Sequence, residues 1–351
     1  MTSILPYNSA VLVLDGGLGS ELETRGVPVG SSHLWSAELL ISDPAALRDV
    51  HAAYIAAGAD IVTTASYQAS FPGVVRYFEE KQGPGDYNDL AKKYIADSVL
   101  IAQEARDAFW KENEATTDRI KPLVAASIGP YGAYLAAGQE YTGDYGFTDD
   151  KEGEKILQEF HKPRLDALLS ANPDIIALET IPTFLETKVL LDLLAKTKVE
   201  NPPSVWLAFS INSSDETALA DGSPLTAVVD LIAKYRDSPG LRVTSIGTNC
   251  LPPHRAHKAL HTLSQELARV NLPLPLVVYP NSGEIYNGTT KEWAPNPEGV
   301  SKADDETNLC FHEFLPNWYA SGARLVGGCC RTGPSDISEL RGQLQALARQ
   351  A

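Results

Sequence analysis

The residues with the most distinctive chemistry in this sequence are cysteines. The chain has four, and three of them, Cys250, Cys329 and Cys330, follow short apolar runs. Three thiolates form a soft ligand set suited to zinc, and a site with three protein ligands leaves the fourth tetrahedral position open for water or substrate. The alternative interpretation is that these thiols are small buried apolar residues. A disulfide between Cys329 and Cys330 is not expected, because bridging adjacent cysteines requires strained geometry.

The other residues of metal-binding type are expected to have structural roles. Cys310 lies in a segment of helical apolar periodicity, which is typical of a packed thiol. His254, His257 and His261 have i, i+3, i+7 spacing and share one face of a predicted helix, so they could in principle bind a metal. Basic residues interleave with them, which favours an exposed helix face instead.

Two carboxylates also stand at the ends of apolar runs, Asp15 and Glu179. Burying a carboxylate is costly unless it meets a cation or hydrogen-bond donors. One interpretation is that the pair binds an ammonium group, with the N–H groups of Gly16 and Gly17 available for a carboxylate, which indicates an amino-acid-shaped substrate. Two alternatives stay open: each carboxylate caps a helix, or the pair serves as acid and base in a metal-free barrel hydrolase or lyase.

The elements that must position these residues recur along the whole chain as short apolar runs alternating with helical patterns. Nearly all-apolar runs are typical of parallel strands buried on both faces. We predict strands at 10–14, 60–64, 122–128, 174–178, 204–211, 243–247, 276–279 and 323–327. Eight such units without a dividing linker favour an α/β fold with a single (β/α)8 TIM barrel over 1–351, rather than a doubly wound sheet. The excess over about 250 residues indicates elaborated βα loops, the longest at 131–150 and 281–305.

A barrel of this kind brings the three cysteines together. Strand C-termini converge on one rim, and Cys250 follows the sixth predicted strand while Cys329 and Cys330 follow the eighth. Adjacent strand residues point to opposite faces, so Cys329 and Cys330 can face one ion only if the backbone turns sharply. We expect Gly327 and Gly328 to allow that turn.

The first long loop carries aromatic and acidic residues. Aromatic rings and acids at a barrel rim can hold a cationic ligand by cation–π and Coulomb attraction, although ordinary lid packing explains many such aromatics. The loop residues concerned are Tyr131, Tyr134, Glu140, Tyr141, Asp144 and Tyr145, with Tyr286 and Trp293 in the other long loop.

The composition excludes several classes of protein. The 351 residues carry 29 Lys and Arg against 45 Asp and Glu, a formal charge of −16. This charge opposes non-specific binding to nucleic acid or to anionic lipid, because both need a basic face. No apolar run approaches the roughly 20 residues of a membrane span, and residues 1–14 lack the basic region of a signal peptide. Few cysteines in a long acidic chain predict a cytoplasmic protein.

Four segments in order resemble the zinc-dependent homocysteine S-methyltransferases across nearly the whole chain. They are Leu14-Asp15-Gly16-Gly17, Leu178-Glu179-Thr180, Gly247-Thr248-Asn249-Cys250 and Gly327-Gly328-Cys329-Cys330. The resemblance implies a (β/α)8 barrel and Zn2+ bound by Cys250, Cys329 and Cys330. It also implies homocysteine binding by Asp15 and Glu179, with the Gly16-Gly17 backbone near the substrate carboxylate. Asn249 is implied to be a neighbouring support residue.

The resemblance extends to the methyl donor. Residues 66–69, 127–134 and 140–145 look like the branch that uses S-methylmethionine or S-adenosylmethionine, whereas the betaine-using branch differs in these loops. The implied reaction transfers a methyl group from a sulfonium donor to the zinc-bound thiolate of homocysteine, forming methionine. The implied partners are these two small molecules, with no nucleic acid and no membrane, and the sequence gives no oligomeric state. A chain of 351 residues has no room for the cobalamin and folate modules of a methionine synthase.

Overall fold

The computed structural model describes residues 11–29, 32–198, 201–287, 292–294 and 311–348. Its strands are β1 (Leu12–Val13), β2 (Ile61–Thr63), β3 (Leu123–Ile128), β4 (Ile175–Ile181), β5 (Ser204–Phe209), β6 (Arg242–Asn249), β7 (Leu276–Tyr279), β8 (Ile285–Asn287), β9 (Glu292–Ala294) and β10 (Ala323–Val326). Eight strands form one parallel sheet in the order β1-β10-β7-β6-β5-β4-β3-β2. A parallel bridge between Leu14 and Ile61 joins the two end strands and closes the barrel.

Helices connect the strands and surround the barrel. They are α1 (Leu18–Thr24), α2 (Leu39–Ser42), α3 (Pro44–Ala57), α4 (Phe71–Gln82), α5 (Asn88–Asn113), α6 (Tyr131–Leu135), α7 (Asp150–Ser170), α8 (Phe184–Ala195), α9 (Leu225–Lys234), α10 (Pro253–Arg269), α11 (Phe311–Ala320) and α12 (Pro334–Ala348). Short 3-10 turns occupy Trp35–Glu38 and Gln139–Tyr141. No helix in the described part of the chain is long and apolar enough to cross a membrane.

Local sequence signals explain where these helices begin and end. The Asp43 side chain accepts a hydrogen bond from the Ala46 N–H at 3.1 Å, and Pro44 is the first residue of α3. Gly58 ends the same helix with a left-handed φ of 117°. An aspartate cap, a first-turn proline and a terminal glycine each satisfy the geometry of a helix end, so α3 is strongly specified by its sequence.

The barrel interior is a packed core. Side chains from alternate strand positions fill it, and the Trp206 indole donates a hydrogen bond to the Tyr279 hydroxyl at 3.1 Å. The buried residues of this inner cluster are Leu12, Leu14, Ile61, Ala125, Ile175, Ala177, Trp206, Ala208, Val277, Tyr279 and Leu325. A second, larger apolar layer lies between the sheet and the helices. The filled interior leaves the strand ends as the place for a site.

The structure confirms the predicted (β/α)8 barrel and each of the eight predicted strands, with shifts of a few residues at their ends. The antiparallel pair β8 and β9 was not predicted, and it lies in the long connection between β7 and β10. The predicted long loop at 131–150 contains α6 and the second 3-10 turn. Cys310 and most of the second long loop lie outside the described residues, as do the side chains of Tyr286 and Trp293.

Candidate active site at the barrel rim

Three thiols meet at the C-terminal rim of the barrel. The Sγ atoms of Cys250, Cys329 and Cys330 all lie within 4.8 Å of one another. The Cys250 and Cys330 sulfurs are 3.5 Å apart, and those of Cys329 and Cys330 are 3.9 Å apart. Tetrahedral zinc with Zn–S bonds of about 2.3 Å places neighbouring sulfurs about 3.8 Å apart. The observed spacing therefore fits three ligands of one such ion.

Because the three sulfurs lie close together, their thiols have different pKa values. Hydrogen bonds from Cys329 and Cys330 hold the pKa of the Cys250 thiol well below its ordinary value. The interaction with Cys250 raises the pKa of both Cys329 and Cys330 well above theirs. Without a cation, the cluster favours one thiolate and two thiols, because three negative charges at this separation repel each other.

The glycines before the adjacent cysteines are required for close packing. Neither Gly327 nor Gly328 has a left-handed φ, whereas Cys250 does, at 55°, and so does Arg331, at 65°. A Cβ on Gly328 would lie 2.2 Å from the Thr332 hydroxyl oxygen. The predicted turn at these glycines therefore needs no left-handed conformation, and Gly328 is needed because its neighbour packs against it.

The two predicted carboxylates are buried at the same rim. Asp15 is 3% exposed and Glu179 is 8% exposed. Asp15 accepts hydrogen bonds from the Thr63 N–H at 2.7 Å and from its hydroxyl at 3.0 Å. Glu179 accepts a hydrogen bond from the Ser127 hydroxyl and another from Tyr279. Neither carboxylate forms an ion pair with a lysine or arginine in the described part of the chain, so both are available to an incoming cation.

Burial is the largest influence on the pKa values of Asp15 and Glu179. It raises the pKa of Asp15 from 3.8 to about 8, against the lowering effect of the Thr63 hydrogen bonds. Burial also raises the pKa of Glu179 from 4.5 to about 7. The negative charge of Glu179 raises the pKa of Asp15 further, so the two carboxyl groups interact electrostatically. An ammonium group between them would restore the charged forms.

Asn249 supports the strained backbone next to Glu179. Thr180 has a φ of 58°, an outlier for a β-branched residue, where β4 departs from regular pairing with β5. The Asn249 carboxamide accepts from the Thr180 N–H at 2.9 Å and donates to its hydroxyl at 2.8 Å. The predicted support residue thus lies beside Glu179 and Cys250, in contact with the irregular turn of β4.

The two glycines after Asp15 pack against the cysteine loop. A Cβ on Gly17 would lie 2.5 Å from the Cys329 carbonyl oxygen, so this approach requires glycine. The Gly17 N–H donates to the Thr332 carbonyl oxygen at 2.9 Å. This corrects the expectation for Gly17, whose N–H is engaged within the protein, and leaves Gly16 as the predicted backbone contact to a substrate carboxylate.

The tyrosines of the first long loop have different surroundings. Tyr141 lies against the thiols, with its hydroxyl 3.3 Å from the Cys250 sulfur. Tyr131 and Tyr145 instead pack with Phe147 in an aromatic cluster under the loop. Glu140 precedes Tyr141, and burial raises the pKa of its carboxyl to about 7. The loop therefore contributes one hydroxyl and one carboxyl to the surroundings of the thiols.

The histidines of α10 take no part in this cluster. His254 and His261 are exposed on the helix. Among the described residues, the cysteines form the only group of three or more Cys, His, Asp or Glu side chains whose ligand atoms lie this close together. The prediction of an exposed helix face is confirmed for these two histidines.

Several residues at the rim were not singled out from the sequence. Thr63 and Ser127 donate to the two buried carboxylates, and Tyr279 links the inner core to Glu179. Arg331 and the buried Glu284 form an ion pair at 2.9 Å beside the cysteine loop. Each lies in the last two residues of a predicted strand or within five residues after one, so position near a strand end was the signal that could have found them.

A closed parallel barrel with three thiols and two buried acids at its C-terminal rim has the organisation of a barrel enzyme for a small substrate that carries a cationic group. Comparisons with known proteins specify the class. The family model described as homocysteine S-methyltransferase matches residues 12–344. Homocysteine S-methyltransferase YbgG of Bacillus subtilis is 39% identical over 339 residues, covering 96% of this chain and 95% of the relative.

Two comparisons with Escherichia coli proteins agree. Its homocysteine S-methyltransferase is 41% identical over 332 residues, covering 94% of each chain. The metallated crystal form of its homocysteine methyltransferase MmuM superposes with a TM-score of 0.75 and 37% identity, covering 96% of this chain and 97% of that one. The chain therefore belongs to the homocysteine S-methyltransferase family and is an enzyme of that class. The hydrolase or lyase alternative for Asp15 and Glu179 does not agree with this membership.

Proposed function

We propose that the protein transfers a methyl group from a sulfonium donor, S-methylmethionine or S-adenosylmethionine, to the thiol of homocysteine, with zinc held by Cys250, Cys329 and Cys330. The observation that carries the proposal is the convergence of three sulfurs within 4.8 Å at the rim that also holds Asp15 and Glu179. A soft, all-thiolate donor set at tetrahedral spacing suits zinc. When bound, such an ion supplies an open position and lowers the pKa of a coordinated thiol.

The protein's own residues orient the acceptor. Asp15 and Glu179 bind the ammonium group of homocysteine, and the Gly16 backbone faces its carboxylate. Thr63 and Ser127 fix the two carboxylates by hydrogen bonds, so their orientation is set before the substrate arrives. Asn249 keeps Thr180, and with it Glu179, in position. This arrangement directs the thiol toward the three cysteines and reduces the entropy lost in reaching a reactive geometry.

The chemistry is a direct displacement. A bond forms between the homocysteine sulfur and the methyl carbon as the bond from that carbon to the donor sulfur breaks. The thiol first loses its proton to solvent, and the thiolate and the sulfonium then become two neutral thioethers. Opposite charges are neutralised in this displacement step, so a rim that excludes water favours it. No protein residue needs to be methylated.

A sulfonium donor is favoured over betaine by charge. S-Methylmethionine and S-adenosylmethionine carry a net positive charge at neutral pH, whereas betaine is neutral overall. Asp15, Glu179 and Glu140 give the rim three buried or partly buried carboxyl groups.

The thiols also need reducing conditions, because Cys250 and Cys330 are close enough to be oxidised together. This supports the cytoplasm as the location we propose.

The decisive experiment is a methionine-forming assay. Protein purified without chelator is given homocysteine and, separately, S-methylmethionine, S-adenosylmethionine or betaine. We expect methionine with a sulfonium donor and about one zinc per chain. Methionine formation from betaine alone would replace the donor assignment, and no product with any donor would contradict the function.

Replacing the thiols tests the metal site. Cys250→Ser, Cys329→Ser and Cys330→Ser should each lower zinc content and activity together, because a hydroxyl is a much poorer ligand than a thiolate. His261→Ser, a change on the exposed face of α10, is the control and should keep both. Full zinc content in all three cysteine variants would contradict the ligand assignment.

A further inference from the structure

A third carboxyl group at the rim has no protein partner for one of its oxygens. Glu140 lies in the 3-10 turn Gln139–Tyr141, between α6 and α7. Its Oε2 atom is shielded from solvent and accepts no hydrogen bond from any described residue. Burying an unpaired carboxylate oxygen is costly, so its retention calls for a ligand or ion that completes it.

The surroundings of Glu140 are the thiols and the tyrosines beside them. Its charge acts on Cys250 and Cys330 and on the hydroxyl groups of Tyr67 and Tyr141. The next residue, Tyr141, places its hydroxyl 3.3 Å from the Cys250 sulfur. Glu140 therefore lies close to the thiols, next to the region where a methyl group must approach a thiol held by the cysteines.

Two arginines of the rim are engaged with other partners. Arg164 donates to the carbonyl oxygens of Gly129 at 2.8 Å and Ser66 at 2.9 Å. Arg331 forms its ion pair with Glu284. Asp15 and Glu179 come from other strands and already provide the site for the ammonium group of homocysteine. Glu140 is thus an additional anionic group left for the second substrate.

We propose that Glu140 is a specificity-determining residue that recognises the positively charged sulfonium centre of the methyl donor. This inference rests on the proposed function. A sulfonium has neither N–H nor O–H groups, so it forms no conventional hydrogen bond and is held mainly by attraction to negative charge and to aromatic faces. A carboxylate oxygen without a hydrogen-bond donor suits it. Transfer of the methyl group removes the positive charge, so Glu140 holds the donor more strongly than the thioether product and favours release of that product.

The test compares Glu140→Gln with Glu112→Gln. Glutamine keeps the size of the side chain and removes its charge, and Glu112 is an exposed glutamate of α5 that allows the same substitution. At saturating homocysteine, Glu140→Gln should raise the KM for S-methylmethionine at least about tenfold, with a smaller change in kcat, because the attraction is largest before transfer. Glu112→Gln should leave both parameters near the wild-type values.

A binding measurement gives a readout independent of turnover. Isothermal titration compares S-methylmethionine with methionine, which has the same amino-acid group and a neutral thioether. Wild type should prefer the sulfonium, and Glu140→Gln should lose most of that preference. An equal preference in both proteins would overturn the inference.

A second donor separates the sulfonium from the ammonium of S-methylmethionine. (2-Carboxyethyl)dimethylsulfonium has the sulfonium but no ammonium group. If its binding is unaffected by Glu140→Gln while that of S-methylmethionine weakens, Glu140 binds the ammonium and the inference is wrong. Glu140→Asp, which keeps the charge, should restore part of the preference, and its melting temperature checks the fold. Absence of transfer by wild type would instead count against the proposed function.

Discussion

At the scale of single residues, the carboxyl groups of the rim lower the stability of the free protein but suit a bound ligand. Asp15 and Glu179 are buried without a protein cation, and burial raises the pKa of both. The folded protein must therefore keep each group protonated or bear the cost of a buried charge. Groups of this kind are typical of functional sites, where the environment suits a ligand better than the free protein.

Replacing Asp15 by asparagine should reveal this cost. The folded-state pKa of about 8 lies above the ordinary value of 3.8, so the folded state holds a proton that the unfolded state has released. The contribution of Asp15 to stability is thus present below pH 4 and is lost as pH rises toward 8. Asp15→Asn should raise the melting temperature of substrate-free protein by about 2–4 °C at pH 8 and by less at pH 5.

Differential scanning fluorimetry across this pH range, with and without homocysteine, measures the effect. Homocysteine should stabilise wild type at pH 8 and should stabilise Asp15→Asn much less. Asp237→Asn, at an exposed site between α9 and β6, is a control for the same substitution away from the rim. A melting temperature for Asp15→Asn that falls equally at every pH would indicate a structural role in place of a binding role.

At the scale of elements, α7 holds two rim loops in place through one side chain. Arg164 is fully buried, and its guanidinium donates to the carbonyl oxygens of Gly129, Ser66 and Tyr67. These carbonyls belong to the loops after β2 and β3. A single buried cation thereby fixes the loops that carry Tyr67 and lead to Glu140.

Arg164→Met should be strongly destabilising. It leaves the carbonyl oxygens of Gly129 and Tyr67 without donors, while that of Ser66 keeps the Ala69 N–H. At about 1–3 kcal/mol for each of the two, a total loss of about 2–6 kcal/mol is expected. Lys162→Met on the same helix is the matched control. Its exposed pair with Asp166 should contribute less than about 1 kcal/mol. Urea unfolding measures both, and similar losses in the two variants would show that Arg164 does not hold the loops.

The elements were predictable because their signals are local, whereas the site depends on tertiary contacts. Apolar runs gave all eight barrel strands, and the cap, proline and glycine around α3 gave its two ends. The left-handed turns at Cys250 and Thr180 gave no signal, because neither residue type favours that conformation. Surrounding contacts, such as those of Asn249, hold these turns. The role of Gly328 in close packing was not predicted, because such packing cannot be read from one sequence.

At the scale of the whole molecule, the two ends of the barrel have different tasks. The rim at the strand C-termini holds the thiols and acids, and a buried ion pair near the start of β2 fastens the seam where β1 meets β2. Asp60, just before β2, accepts hydrogen bonds from the Val13 N–H at 3.0 Å and from Arg341 at 2.5 and 3.0 Å. Arg341 belongs to α12, so the last described helix is fastened to the strands that close the barrel.

Arg341→Met should therefore weaken the closed barrel and spare the site. Asp60 would keep the Val13 N–H, but its only remaining cation in the described part of the chain would be the more distant Arg119, 3.8 Å away. Breaking a buried pair costs up to about 3–5 kcal/mol. Arg48→Met, which removes an exposed pair with Asp49, should cost less than about 1 kcal/mol. Unfolding in urea should show the difference, while the KM for homocysteine stays at the wild-type value below the unfolding transition. A raised KM in stable Arg341→Met protein would mean that the seam also shapes the rim, and the separation of stability from chemistry along the barrel axis would not hold.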